Sequence, residues 1–534
     1  MTDTPVSSTT IPGTRWGSWR VRRSGRPPLL LVAIACLAAA VTFLPVIYLA
    51  DRVAALGWSN VVDELFQRRT FELLGRSLAL TGVVTALCVL IGVTAAWLVM
   101  RSDIPGRRIW PVALALPLAV PSYVAAYAWL SWRPSMSAFP GAVLVLTTIS
   151  YPYVFLPVAA ALRRLDPAQE EVARSLGHGR FRVALTLTIP QIRPAIAAGA
   201  LLVALYVLSD FGAVATMRYE VFTFVIYGAY AGFNPSRAAI LALPLVAMAS
   251  VLVLLETWVR GSSAYARLGS GSARLPTPVQ LGRARPVALG LVGGIVVIAI
   301  GFPIWRFTYW VRQALEVSVP TSDILHALGS SVWFAALAAG VTIVLAVPVG
   351  VLAARYRTRG IAVLERSTYL AHALPGIVVG IALVFVGVRF LRAYYQEVPL
   401  LILAYVVLFL PLAVGSVRAA VEQSSRRYEE VARSLGSTPL RVLGRITLPL
   451  AAPALAGGAA LVFITVMKEL PATLLLHPTG TETLATRLWT FTSTTDYAAA
   501  APYAVALVLF TAIPTAFLVR FLVAPAVERG DVVS

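Results

Sequence analysis

The segment EEVARSLG, Glu170–Gly177, recurs unchanged as Glu429–Gly436, at an offset of 259 residues. Without any gap, 11 of 20 positions also agree between Glu171–Pro190 and Glu430–Pro449. A repeat of this length, with matching residues on its C-terminal side, indicates an internal duplication. The chain is therefore predicted to consist of two homologous halves.

The composition of the 534-residue chain excludes a soluble protein. Hydrophobic residues make up 58% of the sequence and charged residues only 13%, far from the usual composition of soluble domains. Because a membrane-spanning helix takes about 20 apolar residues, the chain has enough apolar sequence for about 12 spans. The predicted fold class is all-α integral membrane, built from two parallel six-helix repeats.

Twelve apolar runs of about 20 residues are the predicted spans, six in each half. Those of the first half lie near residues 28–50, 78–100, 109–132, 142–162, 194–214 and 238–259. Those of the second half lie near residues 287–309, 332–354, 369–388, 400–420, 453–476 and 503–523. Since the number of spans in a half is even, both halves have the same orientation in the membrane.

The distribution of arginine predicts which side of the membrane each loop faces. A basic segment precedes the first span without a small-residue cleavage site, so we expect a retained helix and a cytoplasmic N-terminus. On this topology 31 of the 43 arginines are cytoplasmic, as the positive-inside rule predicts. The net charge of +20 thus reflects orientation among membrane lipids, and nucleic-acid binding is not expected.

The repeated segment follows the fourth span of each half, on the predicted cytoplasmic side. Asp166-Pro167 is a typical helix start, while Gly177 and Gly436 suit a left-handed turn that ends a helix. We expect a short helix, followed by re-entry into the membrane near Pro190. An interfacial helix facing lipid phosphates is one interpretation, but paired acids in both copies favour docking of a cytosolic partner.

This segment resembles the EAA motif of binding-protein-dependent ABC importer permeases of the type I fold. The resemblance covers nearly all of residues 71–260 and 326–523, which it identifies as two ABC transmembrane domains. In that family the motif is a coupling helix that sits in a cleft of a cytosolic ATPase. Val172 and Val431 depart mildly from the motif, since alanine is usual there. The matching positions are Glu171, Ala173, Gly177 and Pro190, and Glu430, Ala432, Gly436 and Pro449.

The resemblance implies a permease of the bacterial plasma (inner) membrane with both termini in the cytoplasm. Its partners would be two copies of a cytosolic ABC ATPase, which binds ATP and magnesium, and an extracytoplasmic substrate-binding protein. This chain would bind no cofactor or metal and have no catalytic residue. A P-loop needs a lysine directly after its glycine, whereas the single lysine, Lys468, follows Met467. The remaining segments are tails at 1–26 and 524–534, spans with outer loops at 27–70 and 287–325, and a cytoplasmic linker at 261–286.

Charged residues inside two predicted spans are the candidate translocation path. Lys468 and Glu469 lie in the eleventh run, and the offset of 259 places Ser209 and Asp210 at the equivalent positions. Charges at such depth face the bundle interior or a water-filled cavity. One interpretation is that these residues line the path and interact with a cationic or ion-paired solute. The other is that Lys468 and Glu469 form a mutually satisfied pair that holds two helices together.

Several functions remain open from the sequence. The stretches KELPATLLL (468–476), GTETLATRLW (480–489) and SDFGAV (209–214) resemble the ferric-iron branch of the family. Thiamine, aminophosphonate, polyamine and sulfate permeases share the same plan. The rival from another class is an ion-coupled secondary transporter of twelve helices, in which the repeated loops would be dispensable. A membrane scaffold without transport is disfavoured by the intramembrane acids.

Overall fold

The computed structural model describes residues 27–107, 109–165, 167–261, 279–317, 319–356, 358–370 and 374–523. Within these ranges all regular elements are helices, apart from one isolated β-bridge between Ser102 and Val279. The predicted all-α fold is therefore confirmed. Both tails, Asp166 and most of the predicted linker lie outside the described residues.

The first half comprises helices α1 to α14 among the described residues. The first seven are Leu29–Thr42, Leu44–Leu56, Trp58–Leu65, Arg68–Arg101, Trp110–Ala115, Ser122–Trp132 and Phe139–Ser150. The next seven are Pro152–Arg164, Pro167–Ser175, Arg180–Val183, Ile189–Ser209, Gly212–Thr216, Phe222–Ala231 and Pro235–Gly261. A 3-10 turn follows α5 at Leu116–Ala119, and a π turn joins α10 to α11 at Ala184–Thr188.

The second half comprises α15 to α26 in the same described part of the chain. The first six are Arg285–Val296, Phe302–Val317, Thr321–Arg355, Arg359–Leu370, Gly376–Arg389 and Val398–Gln423. The other six are Arg426–Ser434, Pro439–Val442, Leu448–Met467, Pro471–Leu476, Leu484–Ser493 and Tyr497–Val523. π turns join α15 to α16 at Val297–Gly301 and α22 to α23 at Leu443–Thr447.

The described helices supply nine long apolar spans, or eleven if each of two bent pairs counts as one span. One bent pair is α1 with α2, at 44°, and the other is the third predicted run, broken by 90° between Ala119 and Ser122. The ninth predicted run, 369–388, differs most from expectation, because α19 begins only after Pro375 and has 14 residues. Proline disfavours the helical conformation of the residue before it, so both Pro121 and Pro375 start a new helix.

The two halves are interlocked through their first spans. Helix α1 packs on α17 and α18 of the second half, and α2 packs on α19. In return, α16 packs on α6 of the first half, as well as on α26 of its own half. The buried core is consequently continuous across the halves, with Tyr127 and Tyr405 in one cluster.

Candidate functional site

The two copies of EEVARSLG form equivalent short helices, α9 and α21, each closed by a glycine. Gly177 and Gly436 have φ of +84° and +85°, a left-handed conformation that glycine adopts without steric cost. The next amide N–H donates back to the carbonyl of Ala173 (3.2 Å) or Ala432 (3.0 Å). Both ends are therefore Schellman turns, and the predicted helix stop is confirmed in each half.

Within each acidic pair, the first glutamate faces the protein. Glu429 Oε1 accepts bonds from Arg355 Nη2 at 2.7 Å, Arg355 Nε at 2.9 Å and Thr447 Oγ1 at 3.1 Å. The Glu429 side chain is only 4% exposed. Arg355 ends α17 and Thr447 ends the π turn before α23, so one carboxylate ties α21 to two long helices.

The first half has the same anchor with fewer bonds. Glu170 Oε1 accepts from Arg101 Nη2 and from Thr188 Oγ1, each at 3.0 Å. Arg101 ends α4 and is buried, whereas the Glu170 side chain is 21% exposed. Each short helix is thus held by a charge-assisted hydrogen bond to the end of a membrane-spanning helix, α4 in the first half and α17 in the second.

Sequence reasoning missed these anchors. Arg101 and Arg355 are 254 residues apart, so they do not align at the offset of 259 that reveals the repeat. Thr188 and Thr447 do align at that offset, but a threonine in an apolar run carries no distinctive pattern. A gapped comparison of the two halves, with five extra residues in the second, would have paired the arginines.

The second glutamate of each pair, Glu171 or Glu430, is exposed. Beside it lies an apolar patch, which we call the coupling face and define by Val172 and Leu176 on α9 and by Val431 and Leu435 on α21. Leu176 is 73% exposed and Leu435 is 80% exposed. An apolar patch repeated at equivalent places on two polar loops is the type of surface that a protein partner covers.

Pro190 and Pro449 stand at the second position of α11 and α23, directly after the π turns. Because each π turn runs directly into the helix, the proline stands inside a continuous helical stretch, and the wider turn before it accommodates its ring and its missing N–H. The chain from each short helix thus continues into a long apolar helix at the predicted point. Pro190 and Pro449 mark where coupling segment and span meet.

The two intramembrane acids cap short helices inside the bundle. Asp210 Oδ1 accepts from the N–H groups of Ala213 at 2.9 Å and Val214 at 3.4 Å, at the start of α12. The carboxylate of Glu469 accepts from the N–H groups of Ala472 and Thr473, both at 3.0 Å, at the start of α24. Helix N-termini carry partial positive charge and favour such groups.

A second helix start approaches each of these carboxylates. Ser122, at the start of α6, lies beside Asp210 and the start of α12: a Cβ added at Gly212 would lie 2.8 Å from the Ser122 hydroxyl oxygen. At Gly376, the start of α19, an added Cβ would lie 2.8 Å from Glu469 Oε1. Helices α6 and α19 begin after the breaks in the third and ninth predicted runs, and their N-termini therefore lie beside Asp210 and Glu469 respectively.

Lys468 and Glu469 have separate partners, so the interpretation of a mutually satisfied pair is wrong. Lys468 Nζ donates to the carbonyl of Leu118 at 2.7 Å, in the 3-10 turn that precedes the break of the third run. Thr511 Oγ1 donates to the next carbonyl, that of Ala119, also at 2.7 Å. Two second-half side chains thus satisfy carbonyls that the break in the first half leaves free. Ser209, at the equivalent position, ends α11 and is half-buried.

Comparison with known proteins matches this architecture. A family model described as the inner membrane component of binding-protein-dependent transport systems matches twice, at residues 88–266 and 346–526. A Fe(3+)-transport system permease protein of Haemophilus influenzae is 36% identical over 501 residues, or 93% of this chain and 99% of the relative.

Two further relatives are less similar. A probable ABC transporter permease protein of Sinorhizobium fredii is 25% identical over 481 residues, or 80% of this chain and 83% of the relative. A molybdenum transport system permease protein of Escherichia coli is 34% identical over 141 residues, which cover 23% of this chain. With the double match of the family model, the chain belongs to the family of binding-protein-dependent transport system inner membrane components.

Proposed function

We propose that the chain is the complete translocation unit of an ATP-driven importer, with α9 and α21 as coupling helices for two copies of a cytosolic ATPase. ATP and magnesium bind to the ATPase, and this chain supplies no catalytic residue. The observation that carries the proposal is the coupling face, which occurs in both halves on helices whose other side is anchored to the spans. The coupling helices lie on the cytoplasmic side, as do both termini.

The anchors provide the route by which ATPase movement reaches the membrane. A displacement of α21 moves Arg355 at the end of α17 and Thr447 at the start of α23, because one carboxylate bonds both. Helix α9 is linked to the spans in the same way, through Arg101 at the end of α4 and Thr188 at the start of α11. Approach of the two coupling helices on ATP binding would then shift the long helices that surround the path.

The path itself runs between the halves past Ser209, Asp210, Lys468 and Glu469. These are the polar side chains at the C-terminal ends of α11 and α23, where the two spans stop and shorter helices follow. Their hydrogen bonds to helix ends hold this polar segment within the apolar bundle. Charge placed there suits a cationic or ion-paired solute.

The substrate is ferric iron, delivered by an extracytoplasmic binding protein. The relative described as a Fe(3+)-transport permease aligns along 93% of the chain, including both halves. The molybdenum relative aligns along only 23%. Selectivity rests largely on the binding protein, so the permease needs no iron ligand of its own.

Charge substitution on the coupling face tests the docking of the ATPase. We expect L176E with L435E to abolish co-purification of the cognate ATPase and ATP-driven uptake, because an unpaired charge is placed in an apolar contact. The matched control F233E with L315E alters two residues that are also exposed, at 96% and 79%, but lie in the predicted outer loops, and it should keep co-purification of the ATPase. An ion-coupled transporter would instead keep its uptake in the L176E/L435E variant, and that outcome would contradict the proposal.

A further inference from the structure

Three aromatic side chains from both halves meet next to Asp210. Phe211 contacts Tyr227, with ring centroids 4.9 Å apart, and Trp489, at 5.3 Å. Tyr227 and Trp489 contact each other edge to face at 6.4 Å. Phe211 and Tyr227 belong to the first half and Trp489 to the second. We call these three residues the aromatic cluster.

Tyr227 and Trp489 are equivalent residues of the two halves. Each is the sixth residue of a ten-residue helix, α13 or α25. The helices correspond because the first N–H of α13 donates to Ser77 Oγ at 3.4 Å, and the first N–H of α25 donates to Ser331 Oγ at 2.8 Å. Equivalent residues of two parallel repeats contact each other only near the axis that relates the repeats, which is where a central path runs.

The aromatic cluster lies at the end of the path remote from the coupling helices. Helix α11 begins beside α9 and continues for 21 residues to Ser209, a length of about 30 Å at the rise of an α-helix. Phe211 follows two residues later. In the segment between α12 and α13, Glu220 forms an ion pair with Arg76. Arg76 lies two turns from Arg68, the end of α4 that is remote from the coupling helices.

We propose that Phe211, Tyr227 and Trp489 form the gate that closes the path on the side of the binding protein, and that the gate is closed in this structure. The inference rests on the proposed transport function and assigns a role to residues outside the polar segment. Three large rings in contact across the axis leave mostly apolar surface where a hydrated ion would have to pass. Opening requires α13 and α25 to separate, which breaks the contacts of Trp489 with Phe211 and Tyr227.

Crosslinking across the axis tests the gate. The variant carries Y227C and W489C in a background with C36S and C88A, and a short bifunctional methanethiosulfonate joins the two new cysteines through disulfides. We expect efficient crosslinking in the absence of ATP, and at least a tenfold loss of uptake that a reductant restores. Each single-cysteine variant should transport at the same rate with and without the reagent, whatever its own rate is.

The possible outcomes separate the gate from the transport function. Uptake at an unchanged rate by the crosslinked protein, or failure of the two cysteines to crosslink, would overturn the gate. If the parent chain itself does not transport with its ATPase and binding protein, the proposed function fails, whereas the crosslink still reports whether the residues meet.

Loss of a ring provides a second measurement that does not depend on crosslinking. We expect W489A to raise the ATPase activity of the assembled transporter in the absence of binding protein by severalfold, because the closed state loses two of its three ring contacts. W489F should restore most of the coupling. An unchanged basal ATPase activity in W489A, with correctly assembled protein, would contradict a gate at this position.

Discussion

The two coupling helices share nearly the same sequence but are not held equally. Glu429 is almost fully buried and bonds Arg355 through two nitrogens, with Arg433 adding a contact at 3.2 Å to the other oxygen. Glu170, with 21% of its side chain exposed, bonds Arg101 through one nitrogen. Both halves therefore retain a glutamate–arginine anchor, but the anchor is stronger in the second half.

The weaker anchor of the first half has support of another kind. Val279, at the end of the linker, exchanges backbone bonds with the loop after α4: its N–H donates to Arg101 at 2.8 Å, and its carbonyl accepts from Asp103 at 3.2 Å. The Asp103 carboxylate also accepts from the N–H of Leu281 at 3.0 Å. The linker thus holds the segment that carries Arg101. In this fused chain, side chains hold the second coupling helix, whereas the linker between the halves also supports the first.

The largest expected difference concerns the two anchoring glutamates. E429Q leaves Arg355 buried without a charged partner, and breaking a buried pair in this way costs about 3–5 kcal/mol. E170Q should cost clearly less, because Glu170 is partly exposed and bonds its arginine through one nitrogen. Thermal unfolding of the purified variants and their ATP-coupled uptake provide the measurement. Equal losses in the two variants would contradict the asymmetry.

A second difference between the halves lies at the equivalent positions of Lys468 and Ser209. K468M removes the donor to Leu118 and leaves a carbonyl unbonded inside the bundle, at a cost of about 1–3 kcal/mol. S209A should change stability by much less, since the side chain is small and lies at a helix end. Unfolding temperatures in the same lipid and detergent compare the two. A larger loss in S209A would show that the contact between the halves has been misassigned.

The closing glycines should behave alike and so provide the internal reference. G177A and G436A each place a side chain in the left-handed region, at a cost of about 1–2 kcal/mol. Neither position meets another atom within 4 Å of an added Cβ, so backbone strain is the only penalty. Similar drops in ATPase docking affinity are expected. A large difference between them would mean that factors outside the turn determine the helix end.

The smallest effects are expected from the helix caps in the interior. D210N and E469Q retain shape but lose the negative charge at the starts of α12 and α24, at a cost of about 0.5–2 kcal/mol. If the two acids also line the path, uptake should fall further than stability does. Uptake and ATP hydrolysis measured together decide this. Full uptake in both variants would remove these residues from the path.

Much of the architecture could be predicted because it depends on composition and repetition. Apolar runs and the repeat of EEVARSLG led to two all-helical halves and to helix stops at Gly177 and Gly436, which the structure confirms. The coupling roles of Glu171, Pro190 and their equivalents remain predictions, as does the translocation path. Relatives establish the family, and the structure adds where each residue lies.

The missing information concerns contacts between distant segments. The bond of Lys468 to Leu118 joins residues 350 apart and depends on a 90° break in a span. The burial of Glu429 but not Glu430 depends on the position of Arg355 beside α21. Neither periodicity nor composition specifies which helices become neighbours, so these contacts could not be derived from the sequence alone.

The most direct test of the central claim is uptake by the chain reconstituted in proteoliposomes with its ATPase and the iron-loaded binding protein. We expect ferric iron to accumulate only when ATP, the ATPase and the binding protein are all present, and the L176E/L435E variant to accumulate none. Iron uptake that follows a proton or sodium gradient without the ATPase would contradict the account.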